Sequence, residues 1–407
     1  MSAESELSGS AASAADFVRA SANGMGVSTP SLTASVARAR TTGRRRTRLL
    51  GTALVLTALA IGGTFLLDPY RNYQLALVAA YFCATAGLSL LIGLTGQLSL
   101  GHAALMAVGG YGYAITANAL TEAGVDGVAR FALAMLAALG ASGVVGLLLG
   151  LAAARLRGPY LAGVTLALVI ALPAVTAVFS GVLRGDQGLQ IAYDDVPPAL
   201  AAIIAVEQWQ AWVAIGAAAV VVTVLSGIRS GVLGLRMRAV RDDEVAARLS
   251  GVRAGRVKVF AFTVSAVAAG AGGAVLCFVT QSVSPGAYTL AFSLLLVVAV
   301  VIGGLGSMLG ALLGSIVIVL LPWLIGTITG AMDLPADLTQ RLSGNLPVLV
   351  FGALLIVVTL LWPAGIRGAL PTRLTLRRPI RPSTPSIPPA LSTPAPSTTA
   401  TEQPTQE

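Results

Sequence analysis

Long stretches of this chain are almost wholly apolar, separated by short polar or basic segments. The apolar spans run at about 49–67, 75–93, 100–119, 131–154, 160–180, 210–228, 259–280 and 346–362. A further apolar stretch from about 290 to 326 is interrupted by GGLGSMLG at 303–310. Uncharged apolar runs of roughly 18 residues or more are the signature of membrane-crossing helices. The pattern predicts an all-α polytopic membrane protein with about 8–10 such helices. Its ends differ in kind. Residues 1–43 are rich in Ser, Ala and Thr, and residues 371–407 in Pro, Ser and Thr; both read as disordered cytoplasmic tails flanking one membrane domain, 44–370.

Charge orients the spans. Lys and Arg collect in cytoplasmic loops, and GRRRTR at 43–48 places the N-terminus inside. Counting crossings then puts the block 229–258 inside, with Arg229, Arg236, Arg238, Arg241, Arg248, Arg253, Arg256 and Lys258. It puts the loop 181–208, with Asp186, Asp194, Asp195 and Glu207, outside. The basic residues after 366 set the C-terminus inside. Residues 281–345 must therefore cross an even number of times, either as two short helices joined by a glycine turn or as a re-entrant pair. The mean hydropathy of +0.84 and the 11% content of charged residues agree with a membrane class. The net charge of +9 is absorbed by this orientation and needs no nucleic-acid partner.

Few residues could carry chemistry. The only lysine, Lys258, follows Val257, so there is no phosphate-binding P-loop. Cys83 and Cys277 lie inside apolar runs as packing residues. His102 is the only histidine and has no neighbour in sequence suited to orient it for proton transfer; it is expected to be satisfied by backbone or water. We expect no catalytic residue, no metal site and no cofactor. Three segments stand out instead. GLTGQLSLGHAAL, 93–105, is rich in glycine and small polar residues and predicts a close-packed, partly polar lining. RLRGPYLAGVTLAL, 155–168, has a helix break at Gly158–Pro159. In RAVRDDEVAARLSG, 238–251, Asp242, Asp243 and Glu244 suit a helix N-terminus, Glu244 and Arg248 are spaced for an i,i+4 pair, Val245 and Leu249 give a thin apolar face, and Gly251 suits a helix stop.

In this order, and continuing through VVIGGLGSMLGALLGSIVIVLLP and LLWPAGIRG, these segments resemble the LivM-type permease subunits of branched-chain amino acid ABC importers. The resemblance covers roughly residues 70–368. The chain departs from the usual pattern at GVLRGDQGL, 181–189, and at Leu295, where a glutamate is common. The resemblance implies a second homologous permease, two cytoplasmic ATP-binding subunits, an extracytoplasmic substrate-binding protein and a surrounding lipid membrane, the plasma (inner) membrane. Short, glycine-interrupted segments often mark a transporter's pathway, which places the candidate translocation pathway at Gly96, Gln97, Ser99, Gly101, His102, Thr165, Gly303, Gly304 and Gly306. Coupling to the ATPases would fall to Arg238, Arg241, Asp242, Asp243, Glu244, Ala247 and Arg248. The alternative substrate is urea or a short amide; the alternative class is a passive channel.

Overall fold

The computed structural model describes residues 51–156, 158–192, 196–197, 202–332, 336–361 and 365–366, without the side chains of 159 and 336–345. The tails expected at 1–43 and 371–407 lie outside the described residues. The bundle and its surface are built by α1 (Gly51–Leu66), α2 (Pro69–Thr95), α3 (His102–Glu122), α4 (Gly127–Arg155), α5 (Pro159–Val178), α6 (Val206–Ser230), α7 (Val232–Asp242), α8 (Glu244–Leu249), α9 (Ala254–Thr280), α10 (Leu290–Gly303), α11 (Met308–Ala331) and α12 (Ala336–Leu361).

Seven helical spans among the described residues are long and apolar enough to cross a membrane: α2, α4, α5, α6, α9, α11 and Pro285–Gly303, which takes in α10 and the short turn before it. The two shorter apolar segments Gly51–Leu66 and Leu346–Leu361 accompany them. α3 falls outside that group because glycine and polar residues dilute it, yet it is packed into the core. The all-α polytopic class is therefore as the apolar pattern predicted. The stretch 290–326 resolves into two separate helices, and the second starts earlier and runs further than the glycine interruption suggested, from Met308 to Ala331. At about 1.5 Å per residue, its 24 residues match the ~30 Å hydrocarbon thickness.

α9 is the hub. Its packing against α4 and α2 is the most extensive in the bundle, it packs nearly as closely on α3, and it and α2 are the two most deeply buried spans. In lipid, apolar surface alone does not draw helices together; close backbone approach does, and that needs small residues. α9 supplies AVAAGAGGA across 266–274. A Cβ at Gly272 would sit 2.6 Å from the Ala80 carbonyl oxygen of α2, and one at Gly273 would run into the Met106 backbone of α3. On the α4 side, Gly150 leaves a Cβ only 3.0 Å from the Val259 carbonyl oxygen. Cys83 and Cys277 are free and fully buried in this core, as apolar fillers.

At one end of the bundle two short strands, β1 (Leu189–Gln190) and β2 (Ser282–Val283), pair antiparallel with Leu189 opposite Val283. Asn118 at the end of α3 donates to the Gln190 carbonyl at 2.9 Å. At the other end, α7 and α8 form a surface hairpin against the ends of α2 and α9.

Two glycines separate packing from helix propensity. Gly272→Val is expected to push α9 off α2 and lower stability by about 1–3 kcal/mol or more. Gly216 of α6 has open space around it, so Gly216→Ala is expected to be neutral or stabilising by up to about 1 kcal/mol. Thermal unfolding of the detergent-purified chain checks both; equal effects would contradict the dependence on close packing.

Candidate functional site

α2 ends at Thr95, α3 begins at His102, and the six residues between them, GQLSLG, are neither helix nor strand. The helix stops because Gly96 takes the left-handed conformation at φ +68°, which a side chain would strain. The backbone N–H groups of Gln97, Leu98 and Ser99 find no backbone acceptor among the described residues. Non-helical backbone in a membrane protein is tolerated only against protein or a watery cavity, and here neighbouring helices supply partners to the residues that follow, Leu100 and Ala103. Thr165 Oγ1 of α5 accepts from the Leu100 N–H at 3.0 Å. Ser293 of α10 donates to the Leu100 carbonyl and accepts from the Ala103 N–H at 3.4 Å. Gly101 lies so close to α5 that a Cβ there would be 2.5 Å from the Thr165 carbonyl oxygen.

His102 is fully buried at the start of α3. Its Nδ1 lies 3.1 Å from Ser99 Oγ and its Nε2 2.9 Å from Ser265 Oγ of α9. A neutral imidazole has one donor and one acceptor nitrogen, and a hydroxyl serves either, so both tautomers are satisfied. The partners are serine hydroxyls and not the backbone or water anticipated; Ser99 was within reach three residues earlier. The ring pins the break to the central helix.

Gln97 is the exception. It is only 7% exposed, and neither its Oε1 nor its Nε2 has a hydrogen-bond partner. Burying a polar group unpaired costs about 1–3 kcal/mol, and this carboxamide is the one side chain of the segment that carries that cost.

The second glycine segment meets the first. The turn between α10 and α11 places Gly304 at φ +111° and Gly306 at φ +70°, and a Cβ at Gly93 would run into the backbone of Gly306. Gly303 abuts the backbone of Gly310 in the same way. Ser307 caps α11 by accepting from the Gly310 N–H at 3.1 Å. The glycine segments 93–96 and 303–307 are thus in direct contact. Gly96, Gln97, Ser99, Gly101, His102 and Thr165 cluster at the α2–α3 break, and Gly306 adjoins it through Gly93.

The hairpin grips both central helices. Arg241, in the last turn of α7, donates from Nη1 to the Gly93 carbonyl at 2.6 Å and pairs with Asp242 at 2.8 Å. That carbonyl lies in the last turn of α2, where carbonyls lack intrahelical partners and the helix dipole is negative, so a guanidinium suits it doubly. Asp243 caps α8, its Oδ1 accepting from the N–H groups of Val245 at 2.8 Å and Ala246 at 3.0 Å. Asp242, expected with it at that N-terminus, instead closes α7. Glu244 pairs with Arg248, as its spacing foretold, and also accepts from Lys258 Nζ at 2.7 Å. Lys258 is a buried cation near the positive end of α9, where the dipole disfavours it, and the Glu244 carboxylate offsets both penalties. Ala247 is buried beside Val240 and Ala254, while Arg238 is half-buried and makes none of these bonds. Val245 and Leu249, 67% and 85% exposed, leave an apolar edge uncovered. The bonds made by Lys258 and by the Gly93 carbonyl escaped the sequence reading; for the first, the solitary lysine among arginines, at a helix start, was the available signal.

A bundle of apolar helices able to cross a membrane, with a buried polar break where α2 passes into α3 and a charged hairpin bonded to α2 and α9, is the architecture of a polytopic membrane protein. Residues 72–359 match the family described as branched-chain amino acid transport system / permease component, and the chain belongs to that family. It is similar to the high-affinity branched-chain amino acid transport system permease protein LivM of Salmonella typhimurium strain LT2, 27% identical over 283 residues, 62% of this chain and 63% of the relative. It is similar to the same degree to LivM of Escherichia coli K12. The chain thus spans just under two thirds of the length of these relatives. No solved structure matches it.

The hydrogen bond from Lys258 holds the Glu244 carboxyl below its ordinary value; partial burial opposes this, and Arg248 adds to the lowering. A depressed native pKa gives stability that is complete above the unfolded value of about 4.3 and lost as pH falls through the lower native one. Amide protection over 244–252, corrected for intrinsic exchange, should therefore stay constant from about pH 6 to 8 and fall only in acid. Lys258→Met should reduce it at neutral pH; unchanged protection would show that the Lys258–Glu244 pair does not hold α8.

Proposed function

We propose that this chain is a transmembrane subunit of an ABC importer in the plasma membrane, with both termini cytoplasmic, moving branched-chain amino acids. It works with a second homologous permease, two cytoplasmic ATP-binding subunits and an extracytoplasmic substrate-binding protein. The chain itself hydrolyses nothing; ATP is used by its partners. The reading is supported by the family, by the names of its relatives, and above all by one observation. The surface hairpin α7–α8 leaves an apolar edge at Val245 and Leu249 open while being tied inward to α2 and α9 through Arg241 and Glu244. A passive channel has no use for such a clamp. In this reading the ATP-binding subunits press on α8, and the tied ends of α2 and α9 move with it. Gly96, Gln97, Ser99, Gly101, His102, Thr165, Gly303, Gly304 and Gly306 lie at or beside the pathway that this motion opens.

Exchanging the charges, Arg241→Glu with Glu244→Lys, breaks both ties at once. In vesicles carrying the complete transport system, leucine uptake is expected to fall at least about tenfold while ATP hydrolysis continues without stimulation by substrate. Uptake and substrate-stimulated hydrolysis at the unaltered level would overturn the coupling role. Solute flux through the purified chain alone, without ATP, would favour the channel.

A further inference from the structure

Two facts at the α2–α3 break are left over once its packing is explained: the carboxamide of Gln97 is buried with no partner, and the carbonyl three residues before Gly96 is held by Arg241. We propose, building on the importer reading, that Gln97 is a solute-contacting and specificity-determining group at the inner end of the pathway, and that the Arg241–Gly93 bond carries it into contact with the solute when the α7–α8 hairpin moves.

The downstream half of the break is already occupied. Leu100 is bonded by Thr165 and Ser293, Ser99 by His102, and His102 by Ser265. These contacts fasten residues 99–102 to α5, α9 and α10, so the downstream half of the segment is fixed. Upstream the ties are different in kind. Arg241 Nη1 holds the Gly93 carbonyl at 2.6 Å, and its Cγ lies 3.1 Å from where a Cβ on Gly96 would be. Arg241 therefore covers both the carbonyl and the Cα of the turn immediately before Gln97. A shift of α7 is transmitted to Gly96, where the left-handed glycine gives the chain its freedom to swing.

A carboxamide offers two N–H donors and an acceptor oxygen together. The matching solute carries a donor and an acceptor close to each other, as the ammonium and carboxylate of an α-amino acid do. A neighbouring side chain would satisfy Gln97 permanently and fix it. Left unpaired, it gains its bonds only from something that comes and goes.

The native thiols make this directly testable. Cys83 and Cys277 are fully buried, so a water-soluble thiol reagent meets little background, and Leu98, 43% exposed, provides a positive control as Leu98→Cys. In membrane vesicles from cells carrying the complete system, Gln97→Cys is expected to react several-fold faster with ATP than without it, and more slowly with leucine present. Adding Arg241→Ala should make the rate independent of ATP. In a separate uptake assay, Gln97→Leu should raise the KM for leucine about tenfold, with Gln97→Asn recovering part of the loss. A rate at position 97 indifferent to ATP and leucine, or Gln97→Leu vesicles with an unaltered KM, would overturn the proposal. Absence of ATP-driven leucine uptake by the unsubstituted protein would instead strike the choice of substrate, and ATP-dependent reactivity at 97 would still support the moving tie.

Discussion

The structure depends on how closely α9 approaches its neighbours. Lipid tails are as apolar as leucine, so helices in a bilayer gain little by hiding apolar surface from one another. What they gain is contact, and α9 maximises it by presenting alanine and glycine where α2, α3 and α4 cross it. The same closeness lets polar groups be paired inside. Ser265 is near enough to reach His102, Ser142 near enough to the Leu105 carbonyl, and Thr85 of α2 near enough to the Ala311 carbonyl of α11 at 3.1 Å. Bulkier residues along α9 would part the helices and leave those groups unpaired.

From this packing comes the broken connection between α2 and α3. A six-residue gap in regular structure survives because α5, α9 and α10 each lend a hydroxyl partner to it or to the imidazole beside it. The break is thus neither loose nor fully closed. Its second half is bonded on every side, while its first half hangs from a left-handed glycine and an arginine on another helix. The arginine belongs to the hairpin, and the hairpin's other tie, Glu244 to Lys258, leads into α9. The two most buried helices are each held by one charged residue from the same surface element, which links the periphery to the core through two bonds of 2.6 and 2.7 Å.

Much of this was legible in the residues. Helix positions followed from apolar runs, since each span needs about 20 apolar residues, and α8 could be read from its cap, its i,i+4 pair and Gly251. α2 and α6 began several residues earlier than hydropathy alone indicated, because Asn72, Gln208 and Gln210 are helical and buried but not apolar. The candidate pathway residues at 96–102 stood out because glycine and small polar residues are conspicuous in an apolar chain. Their partners did not. Ser265, Ser293 and Thr165 come from helices about 60 to 190 residues away, and periodicity carries no information about which hydroxyl faces which gap. The tie from Arg241 to a main-chain carbonyl was equally hidden, since a backbone acceptor leaves no mark on sequence. Nothing in the separate stretches GLTG and GGLGS announced that they touch in the fold, Gly93 against Gly306.

Tied in this way, the α7–α8 hairpin and the C-terminal end of α2 should move as one body. Spin labels at Val245 on α8 and at half-buried Ile92 in the last turn of α2 measure it by pulsed electron resonance in the assembled system, with a third at Tyr160 at the start of α5 as reference. The 245–92 distance should be the same with and without ATP while the 245–160 distance changes. A 245–92 distance that shifts by several ångströms on adding ATP, with 245–160 unchanged, would contradict motion as one body.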